Sequence, residues 1–413
     1  MRFIYLDAGL RYELGHHANY ARSILRELRA KNINAVVVAS AVVVPELQSE
    51  LGAMPLFRAY ARRPIDSDPI VGWLKTFETC SQLTFEDLRR LEGIAPDDIV
   101  YMGSMYEDLF MGLVRWAGAI EPARLPTILA DFSFGPGLEV SVDADHKVHY
   151  SLGDLRADPR PLLHRYAARA ITPAVASRLT LATYDRPTSA AYAALGLRMQ
   201  TWPAPIQATT NRRRRAGGRP ITVAILGHQR PDKGYYLMPE VVSTLLRQRS
   251  DIKVLVHNGA PDFVPEPQQA LRQLALEDQR VVLDETIAGP EPWARLLERS
   301  DLILCPYHPT AFVTRFSSLA CEAIANAIPL VVPARTSLAE LVKDFGEPGT
   351  IFERFEPAPI IDAVNRALDD FDRYAEIAQA AAERWRQTQG ARALVDQLLA
   401  LARGGAAALT PAG

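Results

Sequence analysis

One loop in the second half of the chain carries residue types suited to binding a phosphate ester. Arg230 and Lys233 lie three positions apart in the sequence GHQRPDKG, which is bracketed by Gly227 and Gly234. Glycine lets a backbone approach a ligand closely, arginine offers a two-pronged contact to phosphate, and lysine offers a point charge. The loop therefore predicts an anion site, although a basic surface turn would have the same composition.

A second segment, RFSSLACEA at 315–323, predicts the start of a helix. Ser317 and Ser318 are typical helix caps, and Glu322 falls about one turn into the helix. A helix N-terminus offers free N–H groups and a positive dipole end to an anion. A carboxylate there would repel phosphate but accept hydrogen bonds from sugar hydroxyls. The segment predicts a bound nucleotide or phosphosugar with Glu322 on a ribose. A βαβ unit with a surface glutamate is the plainer alternative.

Both segments lie in an alternation of strands and helices that would place them at one edge of a sheet. The strand ITVAIL at 221–226 leads into the basic loop, and the apolar runs Asp301–Tyr307 and Pro329–Val332 flank the serine-rich helix. In a doubly wound parallel sheet, ligands bind at the carboxyl ends of the strands. We therefore expect the two anion-binding segments to converge on a single site.

The first half of the chain opens with another strand, loop and helix. The strand Arg2–Leu6 is followed by a glycine loop that contains Gly15, His16 and His17, and then by an amphipathic helix. The loop is not GxGxxG, so the nicotinamide dinucleotide fingerprint is absent. His16 and His17 are candidates for lining a crevice at the end of the strand. A solvated histidine pair is the alternative.

Two further residues of the first half have positions that suggest a role. Asp131 directly follows the apolar run TILA at 127–130 and precedes the glycine-containing sequence FSFGPG. A carboxylate at the end of a strand is a site candidate in an open α/β sheet, and it is equally typical of a turn cap. Thr84, in the sequence TFEDL, is the expected cap of a helix.

Length and composition indicate an α/β protein of two domains. The chain has 413 residues, more than a single domain usually contains. The segment rich in Arg, Gly and Pro at 207–220 separates two α/β patterns and predicts a linker. We therefore expect an N-terminal Rossmann-like domain at 1–206, a C-terminal one at 221–375, and a largely continuous helical tail at 376–413.

The overall charge and the hydropathy pattern give no reason to expect a nucleic-acid-binding, secreted or membrane-spanning protein. The net charge of −2 gives no general reason to expect nucleic acid as a partner. Cys305 and Cys321 fall in predicted core and are expected to be small apolar fillers in a reducing compartment. Cys80 is far from both in sequence, and we do not expect three such scattered cysteines to bind a metal. The N-terminus lacks the pattern of a signal peptide, and no apolar run approaches the roughly 20 residues that span a bilayer. We expect a cytoplasmic protein and leave open a peripheral contact with the inner face of a membrane through Arg212–Arg215.

Four short motifs resemble the second domain of GT-B glycosyltransferases, and within them the retaining family-4-like (glycosyl transferases group 1) proteins. They are RPDKG at 230–234, PY at 306–307, RFSSLACEA at 315–323 and PLVVP at 329–333. The resemblance implies two Rossmann-like domains facing a cleft, the first on the acceptor side and the second binding a nucleotide sugar. It also implies that the helix in 376–413, with Trp385, crosses back to pack on the first domain.

The resemblance assigns roles to the candidate residues. Arg230 and Lys233 would hold the donor diphosphate, and Glu322 would hold the ribose. The predicted catalytic residues are Arg230, Lys233, His16 and Asp131. The full predicted donor-binding set is Gly15, His17, Gly227, Arg230, Lys233, Tyr307, Thr314, Arg315, Ser317, Ser318, Leu319 and Glu322.

The implied reaction moves a sugar from a nucleotide diphosphate sugar to an acceptor hydroxyl, with retention and without a metal or other cofactor. The acceptor would be a glycan, a lipid-linked molecule or a protein, and bacterial glycan or polysaccharide biosynthesis is the family-level expectation.

The family pattern is not met at every position. Thr314 stands where the first of two glutamates is often found, and Ala327 stands where a glycine is expected, so we expect Asn326 to provide that turn. Thr314 leaves open a protein that binds a nucleotide sugar without catalysis. A nucleotide-sugar epimerase is a further alternative.

Overall fold

The computed structural model of the chain describes residues 1–13, 15–59, 68–143, 147–209, 220–259, 265–286 and 289–404. They form two compact units, one of Met1–Pro205 with Ala391–Gly413 and one of Ile206–Gly390. Most of the predicted linker, 210–219, lies outside the described residues. None of the described helices combines the length and the apolar composition needed to cross a membrane.

The first unit is built on a parallel sheet. The strands of this sheet are β1 (Phe3–Asp7), β2 (Ala35–Ser40), β3 (Ala53–Phe57), β4 (Ile99–Met102), β5 (Thr127–Phe132), β8 (Leu179–Thr183) and β9 (Gln200–Thr201). A separate antiparallel hairpin consists of β6 (Glu139–Val142) and β7 (Val148–Ser151). The first helices of this unit are α1 (His16–Ala30), α2 (Pro45–Leu51), α3 (Pro69–Leu88), α4 (Glu107–Gly118), α5 (Arg160–Arg169), α6 (Pro173–Ala176) and α7 (Arg186–Ala193).

The second unit repeats this plan. Its strands are β10 (Ile221–Ile225), β11 (Ile252–His257), β12 (Val281–Asp284), β13 (Leu302–Leu304), β14 (Leu330–Pro333) and β15 (Gly349–Phe352). Its helices are α8 (Met238–Gln248), α9 (Pro265–Glu277), α10 (Pro290–Arg299), α11 (Ser318–Ala325), α12 (Ser337–Asp344), α13 (Pro357–Asp369) and α14 (Phe371–Thr388), and α15 (Gly390–Gly404) closes the described chain.

Strand order places a ligand crevice in each unit. The seven-stranded sheet runs β3-β2-β1-β4-β5-β8-β9 and the six-stranded sheet runs β12-β11-β10-β13-β14-β15, and the strand pairs in both are parallel. The order reverses between β1 and β4 in the first unit and between β10 and β13 in the second. Ligands of such sheets bind at the carboxyl ends of the strands at this reversal. The α/β class with two Rossmann-like units is confirmed.

Burial on both faces explains why the central strands read as unbroken apolar runs. Side chains alternate across β1, so Phe3 and Tyr5 pack into one core and Ile4 and Leu6 into another. Parallel sheets need such cover on both faces. The rest of each core comes from the helices, which leaves the loops at the carboxyl edge free to carry polar residues.

The predicted helix start at Thr84 is wrong. α3 begins at Pro69, because Asp68 caps it by accepting a hydrogen bond from the Val71 N–H at 2.9 Å. Proline at the first helical position supports this start. Thr84 lies inside the helix and is buried against Gly112 of α4, where a Cβ atom would stand 2.5 Å from the Cβ of Thr84.

The C-terminal tail divides later than predicted. α14 ends at Thr388, and Gly390 with φ +83° separates it from α15. α14 belongs to the second unit, where the buried Trp385 donates its Nε1–H to the Ile206 carbonyl at 2.9 Å. Of the two tail helices, α14 and α15, only α15 belongs to the first unit. A C-terminal helix that joins the first unit is therefore confirmed, but the assignment of Trp385 to that helix is wrong.

Candidate functional site

The basic loop after β10 is held in one shape by two glycines and a buried amide. Gly234 has φ +70°, and a Cβ atom there would lie 1.8 Å from the Pro306 carbonyl oxygen, so the position requires glycine. Gln229 is buried, and its Nε2 donates to the Gly227 carbonyl at 2.6 Å and also to that of His257. The loop is thus fixed between the ends of β11 and β13.

Lys233 presents an ammonium group without a counter-ion. Its Nζ lies 5.0 Å from the centroid of the Tyr307 ring and 3.2 Å from the point that a Cβ on Gly227 would occupy. Within the described ranges this Nζ has neither a hydrogen-bond partner nor an ion-pair partner. Burial, with a smaller contribution from Arg230, lowers the pKa of Lys233 to about 8. A partly buried cation in this state attracts an anion.

Two arginines share one carboxylate beside this lysine. Arg230 donates through Nε and Nη2 to the two oxygens of Asp232, at 2.9 and 2.6 Å, and Arg315 donates through Nη1 at 2.5 Å. Although burial disfavours the charged carboxylate, the hydrogen bonds and charges of the arginines hold the pKa of Asp232 below its ordinary value. One aspartate cannot balance three cations, so the cluster keeps a net positive charge.

The start of α11 lies at the same edge of the sheet. Ser317 caps the helix, with its Oγ accepting from the Ala320 N–H at 3.3 Å, and Ser318 is the first helical residue rather than a cap. Leu319 is buried, so only its backbone N–H is suited to a ligand. Thr314 lies in the partly buried segment that leads into the helix.

Glu322 is held from a different element. Its Oε2 accepts a hydrogen bond from the indole Nε1–H of Trp293, on α10, at 2.9 Å. Burial raises the pKa of Glu322 to about 7, opposed by this hydrogen bond and by the charge of Lys233. The hydrogen bond from Arg315 to Asp232, at 2.5 Å, joins the segment that carries Glu322 to the basic loop, so the two predicted segments converge.

The structure thus brings most of the predicted residues of the second unit to one edge. The shared site consists of Gly227, Arg230, Lys233, Tyr307, Arg315, Ser317 and Glu322. Tyr307 is buried there, and its ring packs on Phe312 with the centroids 4.4 Å apart.

In the first unit, His16 and His17 form a cluster at the carboxyl ends of β1 and β4. His17 is buried, and its Nδ1 lies 2.8 Å from Oδ1 of Asp7, the last residue of β1. His16 stacks on His17 at 4.2 Å, and its Nε2 lies 3.0 Å from the Ser104 hydroxyl. Gly15 has φ +90° and precedes α1, so it sets the entry of this helix.

Asp131 lies beneath this cluster rather than on its surface. Its carboxylate is fully buried, and it accepts hydrogen bonds from the Tyr101 hydroxyl at 2.6 Å and the Ser104 N–H at 3.3 Å. Burial raises the pKa of Asp131 to about 6. Because the carboxylate is wholly buried and already accepts two hydrogen bonds, this geometry favours support of the crevice over the predicted catalytic role.

Several polar residues of the second unit were not singled out from the sequence. His257 is the last residue of β11 and Asn258 follows it. The His257 Nε2 lies 3.0 Å from the Thr286 carbonyl, and the Tyr235 hydroxyl donates to Asn258 at 2.7 Å. The rule that sites form at strand ends could have indicated them. The pKa of His228, in the basic loop, is lowered by burial and by nearby positive charges. Over the described ranges, no three His, Cys, Asp or Glu side chains are grouped so that they could hold a metal ion.

Comparison with known proteins finds similarity in both sequence and fold, and the sequence similarity lies mainly in the second unit. The model of the family described as Glycosyl transferases group 1 matches residues 207–384. A D-inositol 3-phosphate glycosyltransferase of Corynebacterium efficiens is 30% identical over 185 residues, which cover 42% of this chain and 41% of that relative.

Solved structures extend the similarity to nearly the whole chain. Anabaena Alr3699/HepE in complex with UDP has a TM-score of 0.62 at 14% identity and covers 98% of this chain and 100% of its own. The same protein has been solved with UDP-glucose. A sucrose-phosphate synthase of Thermosynechococcus elongatus has a TM-score of 0.64 at 13% identity and covers 98% and 99%. The fold is GT-B.

Proposed function

We propose that this GT-B chain, whose residues 207–384 match the glycosyl transferases group 1 family, moves a sugar from a nucleotide diphosphate sugar to an acceptor hydroxyl. The observation that carries the proposal is the Lys233 ammonium, which has no counter-ion within the described residues and lies in the loop that Arg315, from the segment of Glu322, joins through its hydrogen bond to Asp232. At one edge of the sheet, a cation can bind the diphosphate of a nucleotide and a carboxylate can accept hydrogen bonds from the hydroxyls of its ribose.

The basic loop would stabilise the leaving group. When the bond between the anomeric carbon and the diphosphate breaks, negative charge grows on the diphosphate oxygens, and fixed positive groups lower the energy of that transition state. Lys233, Arg230 and the N–H groups at the start of α11 would supply this stabilisation. Because side chains and backbone provide the charge, the proposed reaction requires no metal ion.

The proposed reaction retains the anomeric configuration. The acceptor oxygen would bond to the anomeric carbon on the face that the diphosphate leaves, and the acceptor proton would pass to a diphosphate oxygen. This route needs no carboxylate nucleophile, in keeping with the burial of Asp131.

We assign the acceptor to the first unit. His16 is partly exposed at its carboxyl edge, and Asp7 fixes the neighbouring His17 ring through a hydrogen bond of 2.8 Å. Imidazoles held in this way suit the binding of a sugar or lipid-linked hydroxyl. A glycan, a lipid-linked molecule or a protein would serve as acceptor, in bacterial glycan or polysaccharide biosynthesis, with peripheral membrane contact where the acceptor is lipid-linked.

The test is an assay of turnover with a panel of nucleotide sugars, beginning with UDP-sugars because Alr3699/HepE has been solved with UDP-glucose. Release of the nucleoside diphosphate should depend on an acceptor, persist in EDTA and be abolished by Lys233→Ala. The anomeric proton coupling of the product, measured by NMR, should match that of the donor. Loss of activity in EDTA, or an inverted product, would contradict the mechanism.

The same assay separates the alternatives. A new nucleotide sugar formed without any acceptor would indicate an epimerase. Binding without turnover for every donor and acceptor would indicate a protein that has kept the pocket and lost catalysis. Thr314, where a glutamate is often found, is the residue to replace in that case, and Thr314→Glu is the variant to assay.

A further inference from the structure

Trp293 contacts the proposed ribose-binding carboxylate from a separate helix. Its indole Nε1–H donates to Glu322 Oε2 at 2.9 Å, across 29 positions of sequence. A carboxylate has two oxygens, and this hydrogen bond occupies one side of it. In the part of the chain that the structure describes, no donor bonds to the other oxygen, Oε1, which leaves it for a ligand.

We propose that Trp293 is a positioning residue, whose indole N–H holds the Glu322 carboxylate so that Oε1 accepts from the ribose hydroxyls of a bound nucleoside diphosphate. The inference rests on the proposed donor site and adds a residue to it.

An indole suits this role because it donates one hydrogen bond and carries no charge. Lys233 lies close enough to alter the ionisation of Glu322, yet the two side chains form no ion pair in the described structure. A Glu322–Lys233 ion pair would occupy both the cation meant for the diphosphate and the acceptor meant for the ribose. By holding Glu322, Trp293 keeps both groups available.

The indole is itself fixed from the end of β11. The rings of Trp293 and His257 meet edge to face, with centroids 5.9 Å apart. His257 is held in turn, because its Nε2 lies 3.0 Å from the Thr286 carbonyl and its Nδ1 lies 3.3 Å from the Gly227 carbonyl. The orientation of Trp293 is thus tied to the basic loop.

This arrangement predicts a pH dependence of binding. Burial raises the pKa of Glu322 to about 7, and the hydrogen bond from Trp293 opposes that rise by favouring the ionised form. Among the described residues, Lys233, from the basic loop, acts on Glu322 through its charge, and His257, at the end of β11, packs against the Trp293 ring. Affinity for the nucleotide should fall as the pH drops and Glu322 becomes protonated, and this fall is the acid limb of the pH profile. The pKa of Lys233 is lowered to about 8, so its amine stays charged over that limb. Removing the indole N–H moves that limb to higher pH.

The experiment is calorimetric titration of the wild type and Trp293→Phe. The probes are the member of the panel UDP, GDP and ADP that binds the wild type most tightly, and its 2′,3′-dideoxy counterpart, each measured from pH 5.5 to 8.5. Loss of a hydrogen bond to a charged group should weaken ribonucleotide binding by about tenfold or more. The dideoxy ligand should bind both proteins equally, and the acid limb should shift upward only for the ribonucleotide.

A double-variant cycle guards against an effect of folding. In Glu322→Gln the carboxyl group no longer titrates, so adding Trp293→Phe should change neither the pH profile of that variant nor its preference between the two ligands. Equal weakening of both ligands by Trp293→Phe, or an unchanged pH profile, would overturn the inference. If the wild type binds none of the three diphosphates, the proposed function fails first. If the wild type binds and Lys233→Ala weakens both ligands while Trp293→Phe weakens neither, only the inference about Trp293 fails.

Discussion

The two units share a sheet plan and differ in the charge of the edge where ligands bind. In the first unit, Asp7 and Asp131 lie at the ends of β1 and β5 within a network of tyrosines, and both carboxylates have hydrogen-bond donors. In the second, Lys233 lies without a counter-ion within the described residues. The same topology thus provides a polar, internally satisfied surface in one unit and an unbalanced cation in the other.

The difference indicates that the strand order decides where a ligand binds, whereas the loop residues decide which ligand it is. A surface whose acids are already paired suits a neutral hydroxyl compound. An uncompensated ammonium suits a diphosphate. Substitutions in the two units should therefore change different steps of the proposed reaction.

The largest effect is expected at Gly234. Replacement by Ala places a Cβ atom 1.8 Å from the Pro306 oxygen at a residue with φ +70°. The free energy of unfolding of the second unit should fall by roughly 3 kcal/mol or more, with loss of nucleotide binding. Gly346→Ala is the matched control, because φ there is +84° with nothing within 4 Å of the added atom, and it should cost only about 1 kcal/mol. Denaturant unfolding of both variants measures this, and equal losses would show that the contact with Pro306 is unimportant.

Asp7→Asn should change turnover without changing donor affinity. The neutral amide would no longer hold His17 through a hydrogen bond to a carboxylate, and misplacing a group that positions the acceptor can lower kcat by up to about 100-fold. The Kd for a nucleoside diphosphate should stay within about twofold, because the substitution lies in the first unit. Steady-state kinetics and calorimetry together test this separation. Weaker binding of the nucleoside diphosphate with a normal kcat would indicate that the donor binds in the first unit, contrary to the proposal.

Asp131→Asn should stabilise the first unit near neutral pH. The pKa of Asp131 is about 6 in the folded chain and 3.8 ordinarily, so between these values the folded protein keeps a proton that the unfolded chain has released. Stability therefore falls as pH rises from about 4 to 6, and the full cost is present above pH 6. Removing the charge should add about 1–3 kcal/mol at pH 7.5, less at pH 4.

The sign of that change can be checked with an opposite case. The pKa of Asp251 is lowered by a hydrogen bond from Arg249, so Asp251→Asn should reduce stability at pH 7.5 rather than increase it. Unfolding curves at both pH values give the comparison. A gain at pH 4 as large as that at pH 7.5 would show that burial of the Asp131 charge is not the cause.

The smallest expected effect is at Ala327, where the sequence prediction failed. Asn326 has φ −97° and does not form the left-handed turn, which Ala327 adopts itself with φ +55°. Asn326 instead donates its Nδ2–H to the Glu322 carbonyl at 2.7 Å. Ala327→Gly should relieve the backbone strain, which should raise the free energy of unfolding by about 0.5–1 kcal/mol and with it the melting temperature. A lower melting temperature would contradict this reading of the turn.

Local signals predicted the parts of the site that lie within one loop or one helix. The serine cap and the position of Glu322 follow from residues within a few positions of each other, and so do the glycines around Lys233. Contacts between distant residues were not predictable in this way. Trp293 reaches Glu322 across 29 positions, and Arg315 reaches Asp232 across 83, and only the folded sheet brings them together.

Two errors in the fold have a similar cause. Thr84 has the residue type of a helix cap, but Asp68 and the proline after it already start the helix upstream, and tertiary packing places Thr84 in the interior. At the tail, the continuous pattern of Ala, Leu and Arg obscured Gly390, whose φ of +83° breaks the helix. That glycine was visible in the sequence as a stop signal.

The most direct test of the central claim is whether a nucleoside diphosphate binds at the carboxyl edge of the second unit. Thermal unfolding of the wild type, Lys233→Ala, Glu322→Gln and the surface control Lys253→Ala would be followed with UDP, GDP and ADP. A ligand at about one hundred times its Kd should add about 2.7 kcal/mol of stability. The account predicts that one diphosphate stabilises the wild type and Lys253→Ala, and that Lys233→Ala and Glu322→Gln lose most of this gain. Stabilisation of all four proteins to the same extent, or of none, would contradict it.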